Sequence, residues 1–271
     1  DLSTDELTVP MYNGNISQTF WRSAGDDIKR KYGYQYDSLN RLTNAVYMRS
    51  NTIYNSYDET LSYDKNGNIM SLIRNGNLES IVDPAIEIDN LTYNYVDNTN
   101  QLLGVIDNTN DPVGFKDDAA ASNDDYTYDA NGNMVSDGNK GIGQILYNHL
   151  NLPTFIDFGT SGTISYLYDA TGRKVRKTVA NSTVSTITDY MNGFQYTDGA
   201  MNFFPHAEGF VNVTVCETCH GSFENTIRYS YAYNYTDHLG NIRLTYGWDE
   251  TDQGLKILEE NHYYPFGLKH S

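Results

Sequence analysis

The densest group of chemically reactive side chains in the sequence is Cys216-Glu217-Thr218-Cys219-His220. Its spacing matches the pattern that attaches c-type haem, in which two cysteines form thioether bonds and the histidine is an axial ligand. A structural zinc site needs about four ligands, and fewer candidates lie close together here. The motif lies between two strand-like runs, 210–215 and 227–235, and is therefore predicted to be a hairpin loop. A local disulfide between Cys216 and Cys219, or two free thiols, is favoured over haem and zinc, so no cofactor and no metal are expected.

Acidic side chains are the next candidates for chemistry. Two catalytic carboxylates must face each other across a substrate, whereas adjacent carboxylates on a loop are usually solvated. The runs 64–68 and 129–133 open like a calcium loop, but their glycine falls at position 4 instead of position 6. The chain has no Gly-x-Ser-x-Gly, no His-Glu-x-x-His and no phosphate loop, so we predict that it is not an enzyme. The adjacent acids are Asp26-Asp27, Asp117-Asp118, Asp124-Asp125 and Glu259-Glu260.

Length and charge limit the remaining functions. The 271 residues suffice for one large β domain or two ordinary ones. The chain has 18 Lys and Arg against 35 Asp and Glu, a net charge of −17, which argues against binding to a nucleic-acid backbone. Its mean hydropathy is −0.58, and no apolar run approaches the roughly 18 residues of a membrane helix. The start, Asp1-Leu2-Ser3, has no initiator methionine and no signal-peptide pattern, so we expect a segment of a longer, exported polypeptide.

The composition favours short strands joined by tight turns. The chain contains 24 Tyr, 22 Gly and 30 Asn. Asn and Gly tolerate positive φ, and Tyr suits the half-buried surface of a strand. Alternation at Tyr126-Thr127-Tyr128 and along 229–235 predicts strands with one aromatic face. Helix signals are confined to short stretches at 24–31, 116–122 and 254–260.

A repeated turn signature divides the chain. Each copy has an aromatic or apolar strand end, then Asp or Asn, and then Asn or Gly three residues later. The first residue can hydrogen-bond the backbone two residues on, and the last is expected to adopt the left-handed conformation that bulky residues avoid. Asn66-Gly67 and Asn131-Gly132 are dipeptides that favour a two-residue hairpin turn. The copies pair Asp37 with Asn40, Asp64 with Gly67, Asp97 with Asn100, Asp129 with Gly132, Asn148 with Asn151, Asp169 with Gly172, and Asp237 with Gly240.

These repeats predict an all-β architecture. A lone hairpin is marginally stable in water, but stacked hairpins bury one continuous aromatic face. The spacing of the copies is irregular, which favours a curved or spiralling sheet with insertions over a regular solenoid. The longest gap, from 177 to 235, is predicted to contain degenerate hairpins. Because no linker is evident, residues 1–271 are predicted to form a single domain.

The repeated signature resembles a known family. Tyr-Asp followed by Asn-Gly-Asn or Leu-Asn-Arg is similar to the YD-repeats of RHS (rearrangement hot spot) proteins, in their Bacteroidetes-type versions. The run Tyr12-Asn13-Gly14-Asn15-Ile16 is similar to the lead-in of such segments. Three later runs resemble the approach to the RHS-associated core: 203–210, Asp237-His238-Leu239-Gly240-Asn241-Ile242-Arg243, and Tyr263-Tyr264-Pro265-Phe266-Gly267.

The resemblance implies a fold and a function. Its fold is a β-sheet ribbon that spirals into a shell around a C-terminal toxin or effector domain, in proteins that are secreted or displayed on the bacterial cell surface. The partners implied are the rest of the same polypeptide, with its core and cargo domain, and also export machinery or glycans. Neither nucleic acid nor membrane insertion is expected. The self-cleavage motif of the family would lie beyond Ser271.

An alternative function remains open beside the shell. Some YD-repeat proteins are thought to bind carbohydrate, and exposed aromatic rings can stack on sugars or bury in a partner. Tyrosines together with Trp21 and Trp248 would then form the binding surface of a cell-surface module.

Overall fold

The protein is described by a computed structural model that covers residues 8–23, 25–50, 52–53, 55–76, 85–117, 124–216, 226–249 and 252–270. Apart from a 3₁₀ turn at Gly159–Ser161, the described residues form strands, turns and irregular segments. The chain divides into two compact units. Unit 1 is Asp1–Asp125 with His262–Ser271, and unit 2 is Tyr126–Asn261. The single-domain organisation stays a prediction.

Unit 1 is built on an eight-stranded antiparallel sheet. Its strand order is β1-β2-β3-β5-β6-β7-β8, and the short β4 pairs with β3. The core on this sheet consists mostly of tyrosines, namely Tyr32, Tyr47, Tyr57 and Tyr264, with Trp21 packed against them. The strands are β1 (Gln18–Arg22), β2 (Lys29–Tyr36), β3 (Leu42–Arg49), β4 (Thr52–Ile53), β5 (Glu59–Tyr63), β6 (Ile69–Gly76), β7 (Ile86–Tyr95) and β8 (Leu102–Asp107).

Unit 2 contains a small hairpin and a long meander. The hairpin pairs β9 (Tyr126–Tyr128) with β10 (Met134–Asp137). In the eleven-stranded antiparallel sheet, every strand from β11 to β21 pairs with the next one along the chain. These strands are β11 (Gln144–Tyr147), β12 (Pro153–Asp157), β13 (Thr163–Tyr168), β14 (Lys174–Ala180), β15 (Ser185–Met191), β16 (Phe194–Thr197), β17 (Ala200–His206), β18 (Gly209–Cys216), β19 (Thr226–Thr236), β20 (Ile242–Asp249) and β21 (Gly254–Glu260).

The structure confirms the all-β prediction and the hairpins in the longest gap. Between 177 and 235, β15 pairs with β16 and β17 pairs with β18. The helix signals were wrong where the structure describes them, because 254–260 is strand β21 and 29–31 opens strand β2. Cross-strand pairing with β20 and β3 outweighs the weak helical preference of these short stretches. The third signal, 116–122, lies largely outside the described residues. No helix among the described residues is long and apolar enough to span a membrane.

Candidate functional site

The predicted turn residues form one recurring backbone structure. At Asp64 the backbone N–H donates to Asn68 O at 3.0 Å, and the Gly67 N–H donates to Asp64 O at 3.3 Å. Gly67 has φ +93°, whereas Asn66 does not have a positive φ. The loop therefore has three residues and ends in a left-handed residue, which is typical of a type I turn with a bulge. The predicted two-residue turn was wrong, because that turn requires positive φ at both of its central residues.

The same pattern of hydrogen bonds closes six of the seven predicted turns. In each, the N–H of the first residue donates to the carbonyl four positions on, and the third loop residue donates back to the first. The left-handed residues are Asn40 (φ 63°), Gly67 (93°), Gly132 (83°), Asn151 (56°), Gly172 (85°) and Gly240 (85°). We call these six turns the turn row.

The turn predicted at Asp97 and Asn100 was wrong in its register. The positive φ falls on Asn98, and the first residue of this turn is Val96. Val96 N–H donates to Gln101 O at 2.9 Å, so the loop is one residue longer than in the turn row. Because Val96 has no side-chain acceptor, the Thr99 hydroxyl takes over, donating to Val96 O and accepting from the Gln101 N–H.

The Asp side chains of the turn row accept hydrogen bonds from their own turns. Asp129 Oδ1 accepts the N–H groups of Asn131 and Asn133 at 2.9 Å each, and its Oδ2 accepts Asn133 Nδ2. The Asn133 side chain is the main cause of the lowered pKa of this carboxyl, followed by the backbone donors, which together outweigh desolvation. The pKa values of the equivalent carboxyls are also lowered at Asp37, Asp64, Asp169 and Asp237.

The structure reveals a tyrosine contact that sequence reasoning missed. The tyrosine that ends a strand before a turn donates its hydroxyl to a carbonyl in the preceding hairpin. In each case the accepting carbonyl belongs to the residue two positions after a left-handed residue. A tyrosine immediately before the first residue of the turn is the sequence signal from which this contact could have been predicted. The contacts join Tyr36 to Ile16 O (2.8 Å), Tyr63 to Leu42 O (2.7 Å), Tyr95 to Ile69 O (2.8 Å), Tyr147 to Met134 O (2.6 Å) and Tyr168 to Pro153 O (2.9 Å).

Side chains also link successive turns within each unit. In unit 1, Asn68 Nδ2 donates to Asn100 Oδ1 at 3.0 Å, and Arg41 donates to Asp64 O at 2.7 Å. In unit 2, Asn133 Nδ2 donates to Asn151 Oδ1 at 3.0 Å. Turns and tyrosines therefore connect successive hairpins in unit 1 and in the first part of unit 2.

A buried ion network crosses three strands of unit 1. Arg74 on β6 lies opposite Glu59 on β5 and Asp89 on β7 in the strand register. Its guanidinium contacts Glu59 Oε1 at 2.7 Å and Asp89 Oδ2 at 2.5 Å, and both carboxylates are fully buried. Burial raises the pKa of Glu59, while the two carboxylates overcome the effect of burial on Arg74 and raise its pKa. The Arg74 guanidinium is shared by the two carboxylates, and no group of His, Cys, Asp or Glu among the described residues could hold a metal ion.

One face of the eleven-stranded sheet is lined with exposed apolar side chains. Tyr229, Tyr231 and Tyr235 alternate along β19 and are each more than half exposed. Val215 and Ile227 are a cross-strand pair, as are Trp248 and Leu255. We call these seven residues the aromatic face. It continues through ring contacts, with Tyr231 stacked on Tyr233 and Tyr233 stacked on Tyr246 at a centroid distance of 5.4 Å.

Unit 1 carries an open groove of about 770 Å³. The residues that line it include Tyr12, Tyr34 and Tyr36 together with Asn13, Gln35 and Asp37. Tyr12 is 96% exposed. Aromatic rings beside planar amides are the chemistry with which a small polar ligand is held.

The cysteine motif is not tested by the structure. Cys216 ends strand β18, while Cys219 and His220 lie outside the described residues. The disulfide, haem and zinc interpretations therefore stay predictions.

Comparison with known proteins yields likeness at the level of fold. No protein-family model matches the chain, and no curated protein matches it. Among solved structures it is similar to a crystal structure of TcdB2-TccC3, at 15% identity over 95% of this chain, with a TM-score of 0.50. The fold is of the RHS shell type. A structure of TcdB2-TccC3-TEV is similar at 14% identity over 93% of this chain, with a TM-score of 0.48. The chain spans only 15% of the length of each of those chains.

Proposed function

We propose that the chain is a structural wall segment of a large exported RHS-repeat protein. Its role is to enclose or present a C-terminal toxin or effector domain of the same polypeptide. The mechanism is steric, because hydrogen-bonded β-sheet walls keep the contents from solvent and from other proteins. The segment itself performs no catalysis, and its place is outside the cell or on the cell surface.

The aromatic face is the observation that carries this proposal. Aromatic side chains offer about 150–250 Å² each, so the four aromatic residues of the face, each more than half exposed, present on the order of 500 Å². Val215, Ile227 and Leu255 are also more than half exposed and add to this area. The largest apolar patch on a typical monomer is about 300–600 Å². A face of this size is covered in the working protein, and a shell covers it with the enclosed polypeptide.

Rigidity and charge support the same function. The tyrosine contacts and the turn row connect successive hairpins of unit 1 and of the first part of unit 2, so these strands keep their register. The net charge of −17 favours solubility of the outer surface and repels anionic polymers. The partners that fit are the core and cargo domains of the same polypeptide, together with the machinery that exports them.

Intact-mass analysis and end-sequencing of the parent polypeptide test this function. We expect a separate C-terminal fragment that stays bound without a covalent link and begins just after an Asp-Pro-type motif. A single uncut chain that ends in an adhesion-like or sorting domain would refute the enclosing role and leave a rigid surface spacer.

A second readout examines the aromatic face directly. The isolated chain should bind the dye ANS, and the triple variant Tyr229→Ser, Tyr231→Ser, Tyr235→Ser should bind much less. The parent polypeptide should bind no more than the triple variant, because its own chain covers the face. Equal dye binding by the isolated chain and the parent polypeptide would contradict that cover.

The groove in unit 1 favours a second candidate function, binding of a neutral glycan. Its lining residues include three tyrosines and the amide residues Asn13 and Gln35, and the acidic chain disfavours anionic sugars. A glycan array probed with the intact chain should give binding that Tyr12→Ala abolishes. Tyr235→Ala, which changes an exposed tyrosine outside the groove, is the matched control. Absence of binding on the array, or equal binding by both variants, would remove this function.

A further inference from the structure

The segment 262–270 is the part of unit 1 that follows unit 2 in the sequence. It contains the same kind of turn as the turn row, but the turn begins with Tyr264 instead of Asp or Asn. Tyr264 N–H donates to Leu268 O at 2.8 Å, and Gly267 N–H donates to Tyr264 O at 2.9 Å. Gly267 has φ 84°. His270 N–H donates to His262 O at 2.8 Å and closes the segment on itself. We call residues 262–270 the strap.

The strap is not a strand of the unit 1 sheet. Among the described residues its only β-bridge joins two of its own members, Tyr263 and Lys269. None of its residues enters the register of β1 to β8. It is therefore held against the sheet by side chains and by one backbone hydrogen bond, from Phe266 to the Glu59 carboxylate, rather than by a ladder of backbone hydrogen bonds.

Tyr264 is the first of these side chains. It is 2% exposed, and its hydroxyl donates to Asn75 O. The Arg74 guanidinium lies over its ring at 5.1 Å, and the Tyr57 ring meets it edge-on. A Cβ on Gly76 would come within 2.7 Å of the Tyr264 hydroxyl, so glycine leaves the space that the ring enters.

His270 is the second anchor, and its proton can be placed. Its ring stacks on Tyr57 at a centroid distance of 4.0 Å and an angle of 4°. The Tyr32 hydroxyl has one proton and donates it to Tyr57 O at 2.8 Å. The 2.9 Å contact between Tyr32 Oη and His270 Nε2 is then a hydrogen bond in which Nε2–H is the donor. The other imidazole of the strap, His262, packs against Trp21 at 5.8 Å.

We propose that the strap is a detachable closing segment: it docks on the aromatic core of unit 1 and can leave it as a unit while the sheet stays folded. Opening separates three anchoring rings. It also breaks the hydrogen bonds from Tyr264 and to Tyr32 and the one from the Phe266 backbone to the Glu59 carboxylate, but it breaks no strand pairing. Segments with that kind of attachment open at lower free energy than core strands. An open strap uncovers Tyr32 and Tyr57, so the strap controls whether the unit 1 core is closed.

Native-state amide hydrogen exchange on the full chain tests the proposal. The amides of Gly267 and His270, both bonded within the strap, should exchange with one common opening equilibrium. They should exchange faster than the amides of Ala45 and Val46 in β3. Tyr264→Phe keeps the ring and removes the hydroxyl, so the exchange rates of both strap amides should rise by the same factor, about tenfold. The β3 amides should keep their rates.

Tyr36→Phe is the matched control. It removes the same atom from the same unit, where the hydroxyl bonds Ile16 O, and should leave the strap amides unchanged. The proposal is overturned if the strap amides exchange at the same rate as the β3 amides and Tyr264→Phe accelerates exchange in the strap and in β3 by the same factor. Unequal factors at Gly267 and His270 would also overturn it, because the strap would then fray residue by residue.

Discussion

Gly132→Val isolates the energetic role of the left-handed residue in the turn row. Gly132 has φ 83°, and a Cβ built on it would meet nothing within 4 Å. A Cβ at this position therefore meets no obstruction, and we attribute the expected loss of stability to backbone strain. The turn it would strain is closed by Gly132 N–H to Asp129 O at 3.1 Å and by Asp129 N–H to Asn133 O at 2.9 Å.

The expected loss follows from two opposing effects. A left-handed conformation costs a non-glycine residue about 1–2 kcal/mol, and a β-branched side chain lies at or above the top of that range. Replacing glycine also restricts the unfolded chain, which stabilises the fold by about 0.4–1 kcal/mol. We expect a net destabilisation of about 1–2 kcal/mol.

Two further variants separate strain from side-chain volume. Gly143 in the same unit also has nothing within 4 Å of a built Cβ, but its φ is not in the left-handed range. Gly143→Val should therefore change stability by less than about 0.5 kcal/mol. Gly132→Asn should lose less than Gly132→Val, because Asn40 and Asn151 occupy the same turn position.

Guanidinium unfolding, followed by far-UV circular dichroism, measures all three variants. The midpoint gives the difference in stability as long as the slope of the transition is unchanged. A loss well below 1 kcal/mol for Gly132→Val, or an equal loss for Gly143→Val, would refute the strain argument.

Three more predictions concern side chains. Tyr168→Phe removes the hydroxyl that bonds Pro153 O and should lower the unfolding free energy by about 1 kcal/mol, whereas Tyr12→Phe, at an exposed ring, should not; equal losses would argue against a role for the contact. Arg74→Met leaves two buried carboxylates unpaired and should destabilise the protein by about 3–5 kcal/mol at neutral pH, measured by denaturant unfolding, and a loss under about 1 kcal/mol would contradict this. Burial raises the pKa of Asp58 to about 6, so the folded state binds more protons than the unfolded state between the ordinary pKa and that value. This contribution to stability is present at low pH and is lost as pH rises to about 6; Asp58→Asn should therefore gain stability relative to the native chain over that window in a pH series of melts, and parallel curves would refute the assignment.

The positions of the turns could be predicted from sequence because they depend on local chemistry. A side-chain acceptor at Asp129 and a residue that tolerates positive φ at Gly132 lie close together in the chain and specify the turn between them. The type of turn could not be predicted in the same way. It depends on how the two flanking strands pair, and the Asn-Gly dipeptide at 66–67 is compatible with both forms.

The aromatic face was partly predictable. Alternation along 229–235 indicates a strand with its tyrosines on one side. Whether that side is buried or exposed depends on what lies opposite, and the structure leaves Tyr229, Tyr231 and Tyr235 more than half exposed. Residues 254–260 were misjudged for a related reason, since a short apolar stretch becomes a strand when a partner strand is available.

Sequence by itself determined that this chain is all-β, repeated, and divided by turns of one kind, because glycine, asparagine and aspartate act on their own backbone. Only the tertiary structure decided what those hairpins bring together. Arg74 meets its carboxylates across strand pairing, Tyr264 bonds a carbonyl 189 residues away, and His270 meets Tyr32 across 238 residues. Such contacts depend on the register and packing of whole strands, and no local pattern of residue types contains that information.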